Sequence, residues 1–201
     1  MNRKFTSGQL KQIGKIAMDV MTSLNLNFEA AQRLVSNPHL ALRLKTLFES
    51  LSVLGHQVTY DQSIGIRKLI ERAVGQANLG KINSDITPER FKLSGTGVRK
   101  MNFRVEPYLN GETSEQAAAR LTAAGHTLGN TGDLAGFLHD HPQEMEKWWW
   151  VFAISKDSLW IYSGGVVYVP CADVDGSSRN FGLGVFRLRR NSGNGFLVAC
   201  E

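Results

Sequence analysis

From Trp148 to Glu201 the chain alternates short apolar runs with turn-forming clusters. The runs "WWWVFAIS", "LWIYS", "VVYVP", "NFGLGVFRLR" and "FLVAC" are rich in β-branched and aromatic residues, and "KDS", "GG", "ADVDGSS" and "NSGNG" separate them. Runs this short, broken this often by Gly, Asn, Asp and Ser, fit strands joined by tight connections. Gly164-Gly165 marks a two-residue hairpin, because a type I′ turn requires positive φ at both central positions. The expected product is an antiparallel β-meander.

The same stretch sets polar residues between its apolar ones. In "DGSSRNFGLGVFRLRRNSGNGFLVACE", Phe181, Leu183, Val185, Leu188, Phe196 and Val198 are expected to be buried. The intervening positions then form a presented surface: Asp175, Ser177, Ser178, Arg179, Asn180, Arg187, Arg189, Arg190, Asn191 and Asn194. Trp148, Trp149 and Trp160 are its candidate aromatic anchors, since Arg and Trp dominate interface hot spots, with adaptable Ser, Gly and Asn around them. In a strand, Trp148 and Trp150 point one way and Trp149 the other, so one side of the triplet is expected to face the core.

The chain ahead of this stretch divides in three. Residues 1–54 carry helical periodicity. Leu10, Ile13, Ala17, Val20 and Leu24 share one face, and a second helix runs through Phe28, Ala31, Leu34 and Val35. "SNPH" restarts the chain, with Asn37 as cap and Pro38 at the first helical position. A small helical bundle or arm is expected, which also offers a means of oligomerisation. Residues 55–97 hold one amphipathic helix in "SIGIRKLIERAVGQA", with Ile66, Leu69, Ile70, Ala73 and Val74 inward, followed by a connecting segment. Residues 98–201 are mixed. "MNFRVEPYL" is strand-like, and "ETSEQAAARLTAAG" is a helix with a capping box from Thr113 and Gln116. "NTGDLAGFLHDHP" is a second short helix, capped by Thr131 and stopping before Pro142. The fold class is α+β.

A content of 42% hydrophobic and 20% charged residues is ordinary for a soluble globular protein. No apolar run approaches the roughly 20 residues that span a bilayer. The first 20 residues lack the apolar core of a signal peptide, and two cysteines, Cys171 and Cys200, make no disulfide framework. A cytoplasmic protein with buried thiols is expected. The net charge of +5 is uneven: residues 1–100 carry 15 Lys/Arg against 7 Asp/Glu, and residues 101–201 carry 8 against 11. The basic half keeps nucleic-acid binding open as a reading, although its charges are spread along the chain and not blocked as in a basic arm.

No convincing catalytic set stands out. His139 and His141 flank Asp140, but a zinc site needs a third and usually a fourth ligand, and Pro142 marks a helix end where histidine is favoured by the macrodipole. Asp173, Asp175 and Gly176 resemble the opening of a calcium loop without its downstream Glu. The cysteines have no activating neighbours, and the "GTG" cluster matches neither phosphate-loop nor dinucleotide spacing. Neither metal nor cofactor is expected. A metal-dependent hydrolase using His139, His141 and Asp140 or Asp173 remains the rival to a binding module.

From about Lys81 onward the chain resembles an uncharacterised protein family of uncultured, small-genome bacteria. The landmarks are "NSDITPERF", "GTG" before a strand, "SEQAAARLTAAGHTLGNTGDLAGFLHDHP", "VYVPCADVDGSSRNFGLGVF" and "GFLVACE". The order of elements is also similar to the C-type-lectin-like fold of formylglycine-generating enzymes and of the variable proteins of diversity-generating retroelements. That resemblance implies that "GFLVACE" is a last strand pairing back toward the start of the domain. The catalytic cysteines of the former group have no counterparts here, so the resemblance implies display of a polar and basic ligand- or protein-binding surface, without catalysis.

Overall fold

Val58 and Tyr60 face inward from a strand that nothing in the helical periodicity announces. In a computed structural model, which describes residues 55–200 with Ser94 excepted, His56–Asp61 forms β1, the outermost strand of the sheet. The helices expected over residues 1–54 lie outside the described residues. The described part belongs to one compact unit, Val53–Glu201. β1 pairs antiparallel with β2 (Val98–Pro107), so the segment expected to be only a helix and a connection also supplies a strand.

The remaining strands are β3 (Val151–Phe152), β4 (Trp160–Ile161), β5 (Val167–Asp175), β6 (Ser178–Val185) and β7 (Gly195–Cys200), in the order β1-β2-β7-β3-β5-β4, with β6 on the other edge of β5. The meander expectation holds only for β4, β5 and β6. β7 crosses back to lie between β2, to which it is antiparallel, and β3, to which it is parallel, so the sheet is mixed. The β4–β5 hairpin closes through Tyr162 and Val166 around three residues, not two, with Gly164 at φ 106° and Gly165 at φ 79°.

Among the described residues four α-helices accompany the sheet. α1 (Ile66–Val74) buries the five apolar residues that its periodicity marks. α2 (Ser114–Ala123) opens with the expected capping box of Thr113 and Gln116. α3 (Thr131–Asp140) is capped by Asn130, not Thr131: Asn130 accepts from the Asp133 amide, and Asp133 accepts from the Asn130 amide in return. α4 (Pro142–Met145) is a single turn.

One core lies between the sheet and α1 and α3, with Val58, Ile70, Phe103, Leu134, Phe137, Phe181 and Leu197 buried. The second lies on the α2 side, around Tyr108, Leu121, Phe152, Val169, Phe196 and Val198. β7 is therefore buried on both faces, Phe196 and Val198 in one core and Leu197 and Ala199 in the other. This explains why "FLVA" is continuously apolar where a half-buried strand would alternate. Among the described residues no helix is long and apolar enough to cross a membrane.

Asp133 joins β1, β2 and α3. Its carboxylate, on a residue 1% exposed, accepts from Arg99 Nε at 2.7 Å and from Tyr60 Oη at 3.0 Å as well as capping its own helix. Burial, reinforced by the adjacent Asp133 carboxylate, drives the Tyr60 phenol far above its usual range and keeps it a donor.

Candidate binding surface

β5 and β6 are paired in a register that sets Cys171 opposite Gly182, Asp173 opposite Asn180 and Asp175 opposite Ser178. Side chains alternate across a sheet, so Val169, Cys171, Asp173 and Asp175 share a face with Gly184, Gly182, Asn180 and Ser178. The opposite face carries Tyr168, Ala172, Phe181, Leu183 and Val185 and runs into the α1–α3 core, where Ala172 and Phe181 are fully buried. Asp175 and Ser178 are joined through Gly176 (φ 59°) and exposed Ser177, which form the hairpin tip.

The polar face has a closed end and an open end. At the closed end, Phe152 and Arg190 cover Gly184: a Cβ there would stand 2.6 Å from Phe152 Cε1 and 3.0 Å from Arg190 Nη2. Arg190 stacks 4.2 Å from the Phe152 ring centroid and donates from Nη2 to the Val185 carbonyl at 2.7 Å. Burial lowers its pKa from the usual arginine value. At Gly182 the packing relaxes, since a Cβ would meet only Cys171 Sγ at 3.6 Å and Trp150 Cζ3 at 3.9 Å. The Trp150 ring thus borders a strand floored by glycine. It is 37% exposed, and Trp149 beside it is 65% exposed.

One residue pair farther along stands Asp173. Its Oδ2 accepts from Asn180 Nδ2 at 3.0 Å, while its Oδ1 is buried and has no hydrogen-bond partner among the described residues. Burial pushes the carboxyl above its usual range, the Asn180 bond opposes that, and the neighbouring Asp175 charge adds to it. Asn180 donates one amide hydrogen to Asp173 and keeps the other as a donor and its carbonyl oxygen as an acceptor.

The expected surface is only partly assembled. Asp175, Ser177, Ser178 and Asn180 lie on this face or at its tip. Arg179 alternates to the other face and donates to the Ala73 carbonyl in the last turn of α1 at 3.0 Å, a favourable place for a cation. Trp160 is also on the opposite side, paired with Tyr168 and covered by the Arg90 guanidinium at 4.3 Å. Arg187 is exposed and ion-paired with Glu115, and Arg189 is exposed. Asn191 caps its own turn by accepting from the Gly193 amide and from Asn194 Nδ2.

Leu183, Val185 and the Cys200 thiol, expected to be buried, are only half-buried, and four further expectations need correction. Arg190 is packed on Phe152, and Asn194 is 8% exposed, so neither belongs to an open surface. Leu188 is 54% exposed, while Phe186 is buried in its place. β6 ends at Val185, where Phe186 N bonds to the Val167 carbonyl and Leu188 N to the Val185 carbonyl; the strand turns, and its alternation restarts out of phase. Finally, the tryptophan triplet precedes β3 in a turn, with Trp148 N bonded to the Met145 carbonyl, so the period-two reading does not apply to it. Trp148 is half-buried against the α1–α3 core. Trp150 and Asp173 are the residues missing from the expected surface. Their signal is the small-residue alternation Ser178, Asn180, Gly182, Gly184, which leaves room for a large neighbour.

The rival catalytic groups serve structural ends. His141 Nε2 is 2.6 Å from the Gln57 carbonyl, and His139 Nδ1 is 2.7 Å from Asp140 Oδ1, while Asp140 Oδ2 accepts from the Thr59 amide. Together they cover the free edge of β1. Among the described residues no three of His, Cys, Asp and Glu stand close enough together to hold a metal ion. Burial pushes the Cys171 thiol up to about 12, which suits a packing residue. No family model, no curated protein and no solved structure matches this chain.

Proposed function

We propose that the chain is a non-catalytic binding module whose ligand- or protein-binding surface is the open face of β5 and β6. The observation that carries this reading is the exposed Trp150 ring bordering a glycine-floored strand that bears the Asp173–Asn180 pair, with the exposed Trp149 ring next to it over Gly193. Exposed indole rings are costly unless covered by a partner, and Trp is a preferred hot-spot residue. Asp175, Ser177 and Ser178 form its rim. The finer fold reading is a C-type-lectin-like domain. It is supported by the return of β7 to β2 and by two helices preceding a meander, the arrangement that the resemblance implies. Selections from peptide-display libraries and glycan arrays against the full chain test the proposal. Ligands recovered on the wild type should lose at least about tenfold in affinity when Trp150 and Asn180 are both replaced by alanine, as hot-spot residues do. Ligands indifferent to both replacements, in a protein of unchanged unfolding midpoint, contradict it.

A further inference from the structure

Resting on that surface, we infer that its Trp150–Asp173–Asn180 corner receives a cationic side chain, arginine or lysine, from a polypeptide partner. The corner leaves mainly acceptors unused, beside the Trp150 indole N–H and one Asn180 amide hydrogen, which have no partner among the described residues. Asp173 carries a carboxylate that no lysine or arginine bonds among the described residues, and Asn180, having turned its amide toward that carboxylate, offers a carbonyl oxygen. Trp150 offers part of an indole ring, which attracts cations through its quadrupole. Acceptors, negative charge and an aromatic ring together are complementary to a guanidinium or ammonium group, and they disfavour an anion.

The charges facing the corner agree with this. Asp175, one step farther along β5, adds a second carboxylate, while the β6 positions on this face, Ser178, Asn180, Gly182 and Gly184, are neutral. Arg190 is packed at the closed end on Phe152 and bonds the Val185 carbonyl through Nη2, its Nε being buried without a partner among the described residues. Lys81 is exposed and influences Asp173 without an ion pair among the described residues. The open setting, with Trp149 at 65% exposure and Asp175 exposed, gives a small free amine little enclosure and suits a side chain presented by a larger partner.

The test titrates the 15N-labelled full chain at pH 8 with three capped amino acids: N-acetyl-argininamide, N-acetyl-lysinamide and the neutral N-acetyl-glutaminamide. The inference predicts saturable shifts of the Trp150 indole N–H and the Asn180 side-chain amide with the two cations only. Asp173→Asn, which keeps the shape and removes the charge, should weaken them about fivefold or more. Equal response to the neutral probe, undiminished response in Asp173→Asn, or no response to any probe up to about 100 mM, the weak limit for a fragment, overturns it. Library ligands that depend on Trp150 and Asn180 but not on the Asp173 charge would also overturn it, while leaving the binding surface itself standing.

Discussion

Replacing Asp133 by alanine should be among the most damaging single changes in the described unit. The carboxylate accepts four hydrogen bonds: two from Arg99 (2.7 and 3.3 Å), one from Tyr60 Oη (3.0 Å) and one from the Asn130 amide (2.9 Å). Breaking a buried ion pair by removing one partner costs about 3–5 kcal/mol. The Arg99 side chain is 28% exposed and can recover some hydration, which lowers the figure. The Tyr60 hydroxyl, on a residue 6% exposed, would keep only the 3.5 Å contact with Asn130, and the Asn130 amide at the start of α3 would lose its side-chain acceptor, which raises it. About 3–5 kcal/mol therefore stands. With a urea m-value of about 2 kcal/mol/M, the unfolding midpoint should fall by about 1.5–2.5 M. All four tryptophans lie between residues 148 and 160, so their fluorescence follows this unit. Tyr60→Phe should cost about 1 kcal/mol, and the double variant should cost less than the sum of the two. A loss under about 0.5 kcal/mol for Asp133→Ala, the size of an ordinary surface change, would refute the claim that this carboxylate ties β1, β2 and α3 together.

Gly184 and Gly182 share a face but should respond oppositely to alanine. Gly184→Ala drives a methyl into Phe152 and Arg190 and should cost about 1–3 kcal/mol, whereas Gly182→Ala meets only ordinary contacts and should be neutral or stabilising by about 0.5 kcal/mol, both read by urea melts. Asp173→Asn should raise stability at pH 7: burial lifts its folded pKa above the unfolded value, so the charged form burdens the fold at neutral pH, and the wild type should recover relative to the variant as pH falls through the folded value. His56 has the reverse bearing. Its pKa is lowered chiefly by burial, so the unfolded chain takes up the proton first. The His56 contribution should decline as pH drops below about 6.5 and level off below the folded value, and His56→Gln should flatten that slope in a pH series of melts. Cys171 should not react with a thiol reagent in the native protein and should become reactive on unfolding.

Local signals in the chain were readable where they act locally. The apolar stripe of α1 and the Thr113–Gln116 box of α2 are decided within a few residues, and both stand where their spacing puts them. β1 was not readable in the same way. Only Val58 and Tyr60 of its six residues are buried, and its place depends on β2, which lies some forty residues on. The continuously apolar β7 shows its strand character but not its neighbours, because insertion between β2 and β3 is a choice of topology. On the candidate surface, Asn180, Ser178 and Asp175 follow from alternation along β6 and its hairpin. Beyond Val185 the turn at Phe186 shifts the phase, which buries Phe186 and exposes Leu188. Trp150 escaped because its position beside Gly182 comes from a turn before β3, and a turn has no period to read.

The most direct test of the proposed surface is to map a ligand onto it. For any ligand selected on the wild-type chain, chemical-shift changes should centre on the Trp150 indole, the Asn180 side-chain amide and the backbone of Cys171, Asp173 and Gly182. Changes centred instead on Trp160, Tyr162 and Tyr168, an aromatic group across the sheet in which Tyr162 is exposed and the ring centroids lie 5.5–6.4 Å apart, would put binding on the wrong face and contradict the account.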